Sequence, residues 1–170
     1  EVVACSLLGK VLVKKVENSF LAAMINETEA YLSENDFASH SAVGLTKRNA
    51  AMFREGGILY VYKIYGVHHC INFVTEEKEI GAAVLIRSAI PMLGINEMKI
   101  NRKTDKLENL CKGPGNLAKA FGFSLQDNFS SLKSEELFLQ DYKSFNDDNI
   151  KITKRIGITK SADLELRFLV

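Results

Sequence analysis

The apolar residues of this chain come in short runs separated by turn residues, and that spacing constrains the fold more than any other feature. Residues 11–13, 20–31, 60–64, 70–74, 82–87, 151–158 and 166–170 read as strands, several of them with period-two alternation. Tyr65-Gly66-Val67-His68 joins two of these runs and predicts a tight hairpin. Helical spacing is rarer. Residues 2–8 read as a helix ended by Gly9. Pro91 stands before Leu93, Glu97, Met98 and Ile100 and is expected to start a second helix. Pro114, inside a Gly-Pro-Gly turn, precedes Leu117, Ala120 and Phe121 as the first-turn proline of a third. The predicted fold is α+β: a single mixed domain over residues 1–170, with a largely antiparallel curved sheet and flanking helices. A length of 170 residues suits one such domain, and no repeat or linker divides it. The chain starts at Glu1 without Met and its last strand stops at Val170, so trimming at both termini is expected.

Composition narrows the class. Hydrophobic residues make up 46% and charged residues 25%, which excludes disordered, collagenous and coiled-coil chains. No apolar stretch reaches eighteen residues, so no membrane partner is expected. Cys5, Cys70 and Cys111 are odd in number and lack CxxC spacing, which fits a reducing compartment and neither a disulfide framework nor a zinc site. A formal net charge of +1 announces no nucleic-acid partner, but the charge is segregated. Lys47, Arg48, Arg54 and Lys63 face only Glu55 between residues 40 and 65. Lys151, Lys154, Arg155 and Lys160 face no acid in their stretch, while Glu27, Glu29, Glu34 and Asp36 crowd another. Such a pattern fits a basic face on a neutral protein, and equally a set of solvated faces.

Several constellations could carry chemistry. On a strand, Glu27, Glu29 and Tyr31 share one face, which would put two carboxylates and an aromatic against a planar ligand. Pattern alone favours a solvated strand edge, and spacing does not separate Glu27 from Glu29. Tyr60 and Tyr62 share a strand face and suit sheet packing, whereas Tyr65 at a hairpin tip suits a wedge or stacking platform. His68 and His69 point to opposite faces and no spacing completes a metal site, so surface or packing roles are expected. GxSxG, GxxxxGK[ST] and GxGxxG are all missing, leaving acyl transfer and nucleotide binding without support. Arg87 closes an apolar run, where a charge needs an anionic partner.

The ordered set ETEAY (27–31), AxHS (38–41), TxRNxxMF (46–53), YVYxIYG (60–66), CxN (70–72), VLIR (84–87) and CxGPGxL (111–117) resembles the alkyladenine (3-methylpurine) DNA glycosylase family across nearly the whole chain. The resemblance implies a monofunctional base-excision-repair enzyme. It would flip alkylated or deaminated purines out of double-stranded DNA and hydrolyse the N-glycosidic bond with activated water, leaving an abasic site. It implies Glu29 as the general base and Arg87 as its partner or a phosphate's. Tyr31, His40 and Tyr62 would sandwich the base, and backbone groups around Ala38 and His40 would read its edge. Asn72 would crowd the amino group of guanine, and Tyr65 on a DNA-inserting hairpin would fill the gap. No metal or organic cofactor is implied, and the expected state is a monomer. The expected location is the bacterial cytoplasm near the nucleoid, or the nucleus if the source is eukaryotic. His68 and His69 replace aromatic residues common in relatives, Asn116 replaces a lysine and Lys47 a proline. Two other readings compete: a non-catalytic module that binds distorted duplexes or RNA, and a small-molecule enzyme built on Glu27 and Glu29.

Overall fold

A computed structural model of the chain describes residues 1–17 and 19–170. Eight strands form one curled antiparallel sheet: β1 (Val11–Val16), β2 (Ser19–Tyr31), β3 (Leu59–Ile64), β4 (His68–Val74), β5 (Ala83–Leu93), β6 (Leu137–Gln140), β7 (Lys151–Thr153) and β8 (Arg167–Leu169). The main path runs β3-β4-β5-β2-β1-β6, and β8 pairs with β2 and carries β7. Among the described residues three α-helices flank it, α1 (Val2–Ser6), α2 (Ile95–Arg102) and α3 (Pro114–Ala120). The α+β reading therefore holds.

The long strand β2 organises the molecule. Its first half pairs with β1, its second half with β8, and β5 follows it along nearly its whole length. Register shifts between Ala22 and Ala23, and on either side of Glu27, bend this pair where the carboxylates lie. Bulges of this kind re-aim side chains beside functional sites. The main core packs Leu12, Leu21, Ile25, Ile71, Phe73, Ile86, Leu117 and Phe121 between the sheet and its helices. A smaller cluster of Ala51, Met52, Tyr60, Val74 and Ala83 fills the space behind β3 and β4.

Several predicted boundaries are corrected. Pro91 does not start a helix: it lies in β5 opposite Ala23, at a register shift where its missing N–H is tolerated. The turn into α2 is made by Gly94 at φ 74, where a side chain would meet that of Leu21. Arg87 does not close its strand, because β5 continues to Leu93. Of the predicted run 151–158 only Lys151–Thr153 is strand, and the short strand β6 was not predicted. The hairpin is present as β3 and β4 in register from Leu59↔Phe73 to Ile64↔His68. Tyr65 (φ 51) and Gly66 (φ 72) make its tip in the left-handed region, which only glycine adopts freely.

Candidate active site

One face of β2 carries Glu27, Glu29 and Tyr31 together, as period two predicts. Glu29 is fully buried, and three groups donate to or neutralise its carboxylate. The Tyr31 hydroxyl donates to Oε2 at 3.0 Å and the Ile156 backbone N–H to Oε1 at 2.8 Å, while Nη1 of Arg87 stands 3.3 Å from Oε1. Burying an ionised carboxylate is costly without such partners. Glu27 is less enclosed. Its Oε1 accepts from Nε of Arg87 at 3.0 Å and from Nε of Arg167 at 2.6 Å. Arg87 thus bridges both carboxylates, which supplies the anionic partner its apolar surroundings demand.

The three partners of Glu29, Tyr31, Arg87 and Ile156, line a cavity of about 420 Å³ together with Ala38, His40, Tyr62 and Asn72 among others, and Glu29 lies behind them with no exposed surface. Its size and aromatic lining suit a planar ligand of purine dimensions. His40 meets Tyr62 edge-on with ring centroids 4.6 Å apart. Its Nδ1 shares a 2.8 Å hydrogen bond with the Tyr60 hydroxyl. Burial, and then the charge of Arg48, push the His40 imidazole below its ordinary value, which favours the neutral ring. Burial, and then the charge and hydrogen bond of Glu29, push the Tyr31 phenol up, so its proton stays available to Glu29. The Tyr60 phenol is pushed up to about 12 by burial. Asn72 is buried and donates from Nδ2 to the Tyr60 carbonyl at 3.2 Å. Tyr65 borders the cavity from the hairpin tip and is 83% exposed. His68 and His69 do not border it: His68 is exposed beside Gly115, and His69 is half-buried. Among the described residues no three His, Cys, Asp or Glu side chains gather closely enough to hold a metal ion.

The methylpurine-DNA glycosylase (MPG) family model matches residues 1–170 of this chain. A Prosthecochloris aestuarii protein named "Putative 3-methyladenine DNA glycosylase" is 49% identical over 164 residues, which cover 96% of this chain and 79% of that protein. Proteins of the same name are each 44% identical in Francisella tularensis strain FSC 198, over 170 residues (98% of this chain, 88% of theirs), and in Methanoculleus marisnigri, over 169 residues (98% and 87%). The chain belongs to the methylpurine-DNA glycosylase family. This glycosylase is therefore an enzyme of the class that hydrolyses N-glycosyl bonds in DNA, and the readings as a non-catalytic module or a small-molecule enzyme give way.

Four residues that shape the candidate site are not singled out by the sequence pattern. Asn49 is buried and fully used: Oδ1 accepts from the Thr46 N–H and hydroxyl, and Nδ2 donates to the carbonyls of His40 and Gly44. It thereby ties the TxRN segment to the 3-10 turn His40–Val43. Asp36 and Arg155, counted above in an acidic and a basic face, are buried together as an ion pair instead. Ile156 contributes only a backbone N–H, which no side-chain pattern reveals.

Proposed function

We propose that this enzyme excises alkylated or deaminated purines, of the 3-methyladenine type, from duplex DNA as a monomeric, monofunctional glycosylase. The observation that carries the reading is the fully buried Glu29 carboxylate, held by Tyr31, Arg87 and Ile156 directly behind an aromatic cavity of purine size.

A base inside a duplex is out of reach, so the nucleotide has to leave the stack, at a cost of a few kcal/mol that is smallest for damaged bases. Tyr65, exposed at the hairpin tip, is the group that enters the vacated space. Tyr31, His40 and Tyr62 receive the base, and stacking returns about 1–3 kcal/mol for the base. Backbone groups at Ala38 and His40 read its edge, and buried Asn72 leaves little room for the 2-amino group of guanine. Glycosidic cleavage builds positive charge on the sugar, which a fixed carboxylate stabilises. A carboxylate offers about four acceptor positions; at Glu29 two take hydrogen bonds from Tyr31 and Ile156 while Arg87 stands 3.3 Å from Oε1, and the attacking water takes a remaining position. Water adds to the anomeric carbon, its proton passes to Glu29, and the bond electrons leave with the base. A 3-alkylated adenine already carries positive charge and needs no general acid. No lysine lines the cavity among the described residues, which supports water rather than an amine as nucleophile.

The test is incubation with a duplex carrying 3-methyladenine. Free 3-methyladenine, an alkali-labile abasic site and no borohydride-trapped protein–DNA adduct are expected. A trapped adduct would overturn the hydrolytic route, and an untouched duplex would overturn the substrate.

A further inference from the structure

We propose that the buried Asp36–Arg155 pair is a positioning device that aligns the Glu29 carboxylate with the loop that reads the base; this rests on the role of Glu29 given above. The two side chains are 119 residues apart in sequence and have no solvent-exposed surface. Arg155 Nη1 donates to Asp36 Oδ2 at 2.6 Å and Nη2 to Oδ1 at 2.7 Å, a two-pronged arrangement that fixes orientation as well as distance.

Each partner reaches a different half of the site. Nη1 of Arg155 also donates to the carbonyl of Ala30, the residue between Glu29 and Tyr31, at 3.0 Å. The guanidinium lies 4.6 Å from the Tyr31 ring centroid, over its face. The next residue, Ile156, supplies the N–H that Glu29 accepts. Arg155 therefore fixes two of the three groups that hold Glu29. Asp36 accepts from the N–H of Leu32 at 3.0 Å and of Ala38 at 3.2 Å, so the same carboxylate shapes the segment leading to Ala38 and His40. Apolar side chains can replace a buried pair without loss of stability, so its geometry is the more distinctive contribution. Arg155 Nε finds no hydrogen-bond partner among the described residues, a cost set against the stability the pair supplies. A lysine cannot reproduce the contacts, since one ammonium cannot span both Asp36 oxygens and also reach Ala30.

The test uses the full chain and single-turnover excision of 3-methyladenine by wild type, Arg155→Lys, Asp36→Asn, Glu29→Gln and the Glu29→Gln/Arg155→Lys double variant, with duplex affinity measured alongside. Misalignment of this kind costs about 10–100-fold in rate. Arg155→Lys and Asp36→Asn are expected to lose rate by that factor while duplex affinity stays within about threefold. In the Glu29→Gln background, Arg155→Lys is expected to cost almost nothing further, because it acts through Glu29. Full rate in both single variants, equal loss in both backgrounds, or parallel loss of rate and affinity would overturn the proposal. Should Arg155→Lys fail to fold, the isosteric Asp36→Asn, alone and combined with Glu29→Gln, carries the same comparison. An undiminished rate in Glu29→Gln would instead overturn the role of Glu29, which keeps the two failures apart.

Discussion

Glu29 differs from Glu27 by two positions and by almost everything else. Both lie on one strand and both touch Arg87, yet Glu29 is wholly enclosed while Glu27 keeps part of its surface. Pattern does not separate them, because period two places them on the same face; the family resemblance points to Glu29, which is the more deeply buried of the two. Arg87 and Tyr31 were likewise legible as types in place. Asn49, Asp36, Arg155 and Ile156 were not, because their partners are backbone atoms or lie far along the chain. His40 offers a check at this scale. Its folded value lies below the ordinary 6.5, so the unfolded chain takes up a proton first as pH falls. The stability this ring contributes is complete above about 6.5 and is lost as pH falls through the lower folded value. NMR titration of the His40 ring is expected to give a midpoint below 6.5, and a midpoint above it would contradict the burial that sets the pocket wall.

At the scale of elements, the hairpin and the long bent strand were legible because period-two runs and a Tyr-Gly turn are local signals. The ends were not. Pro91 suggested a helix start, but a bulged strand pair accommodates it and Gly94 makes the turn. The stretch after β7 reads as strand in sequence, yet it leaves the sheet to bring Arg155 and Ile156 beneath the cavity. Two substitutions probe these elements. Tyr65→Ala, at an exposed tip, is expected to slow flipping more than it weakens nonspecific duplex binding; stopped-flow fluorescence of a base analogue checks this, and equal loss or no loss in both would sink the wedge role. Gly81→Ala would place a Cβ 2.5 Å from that of Ser41 and 2.8 Å from the Phe53 ring. Displacing the turn that carries His40 should destabilise the protein by about 1–3 kcal/mol, visible as a lowered Tm. An unchanged Tm would mean that this packing yields freely.

For the molecule as a whole, the α+β class followed from the number and spacing of apolar runs, and the sheet order did not, because pairing between distant strands leaves no local trace. Charge windows along the sequence were a poor guide to surfaces, since Asp36 and Arg155 cancel inside the protein. Arg48 is exposed, lines the cavity and donates from Nη2 to the Lys63 carbonyl at 3.3 Å, and we propose it as a phosphate contact. Duplex affinity is expected to fall linearly in log–log form with salt, and Arg48→Gln to reduce the slope by about 1. An unchanged slope would remove that contact. The central claim concerns Glu29, and single-turnover release of 3-methyladenine by wild type and Glu29→Gln tests it most directly. Release by the wild type and a loss of at least about 100-fold in the variant, with duplex binding retained, are expected. Equal release by both proteins would contradict it and move the base to Glu27.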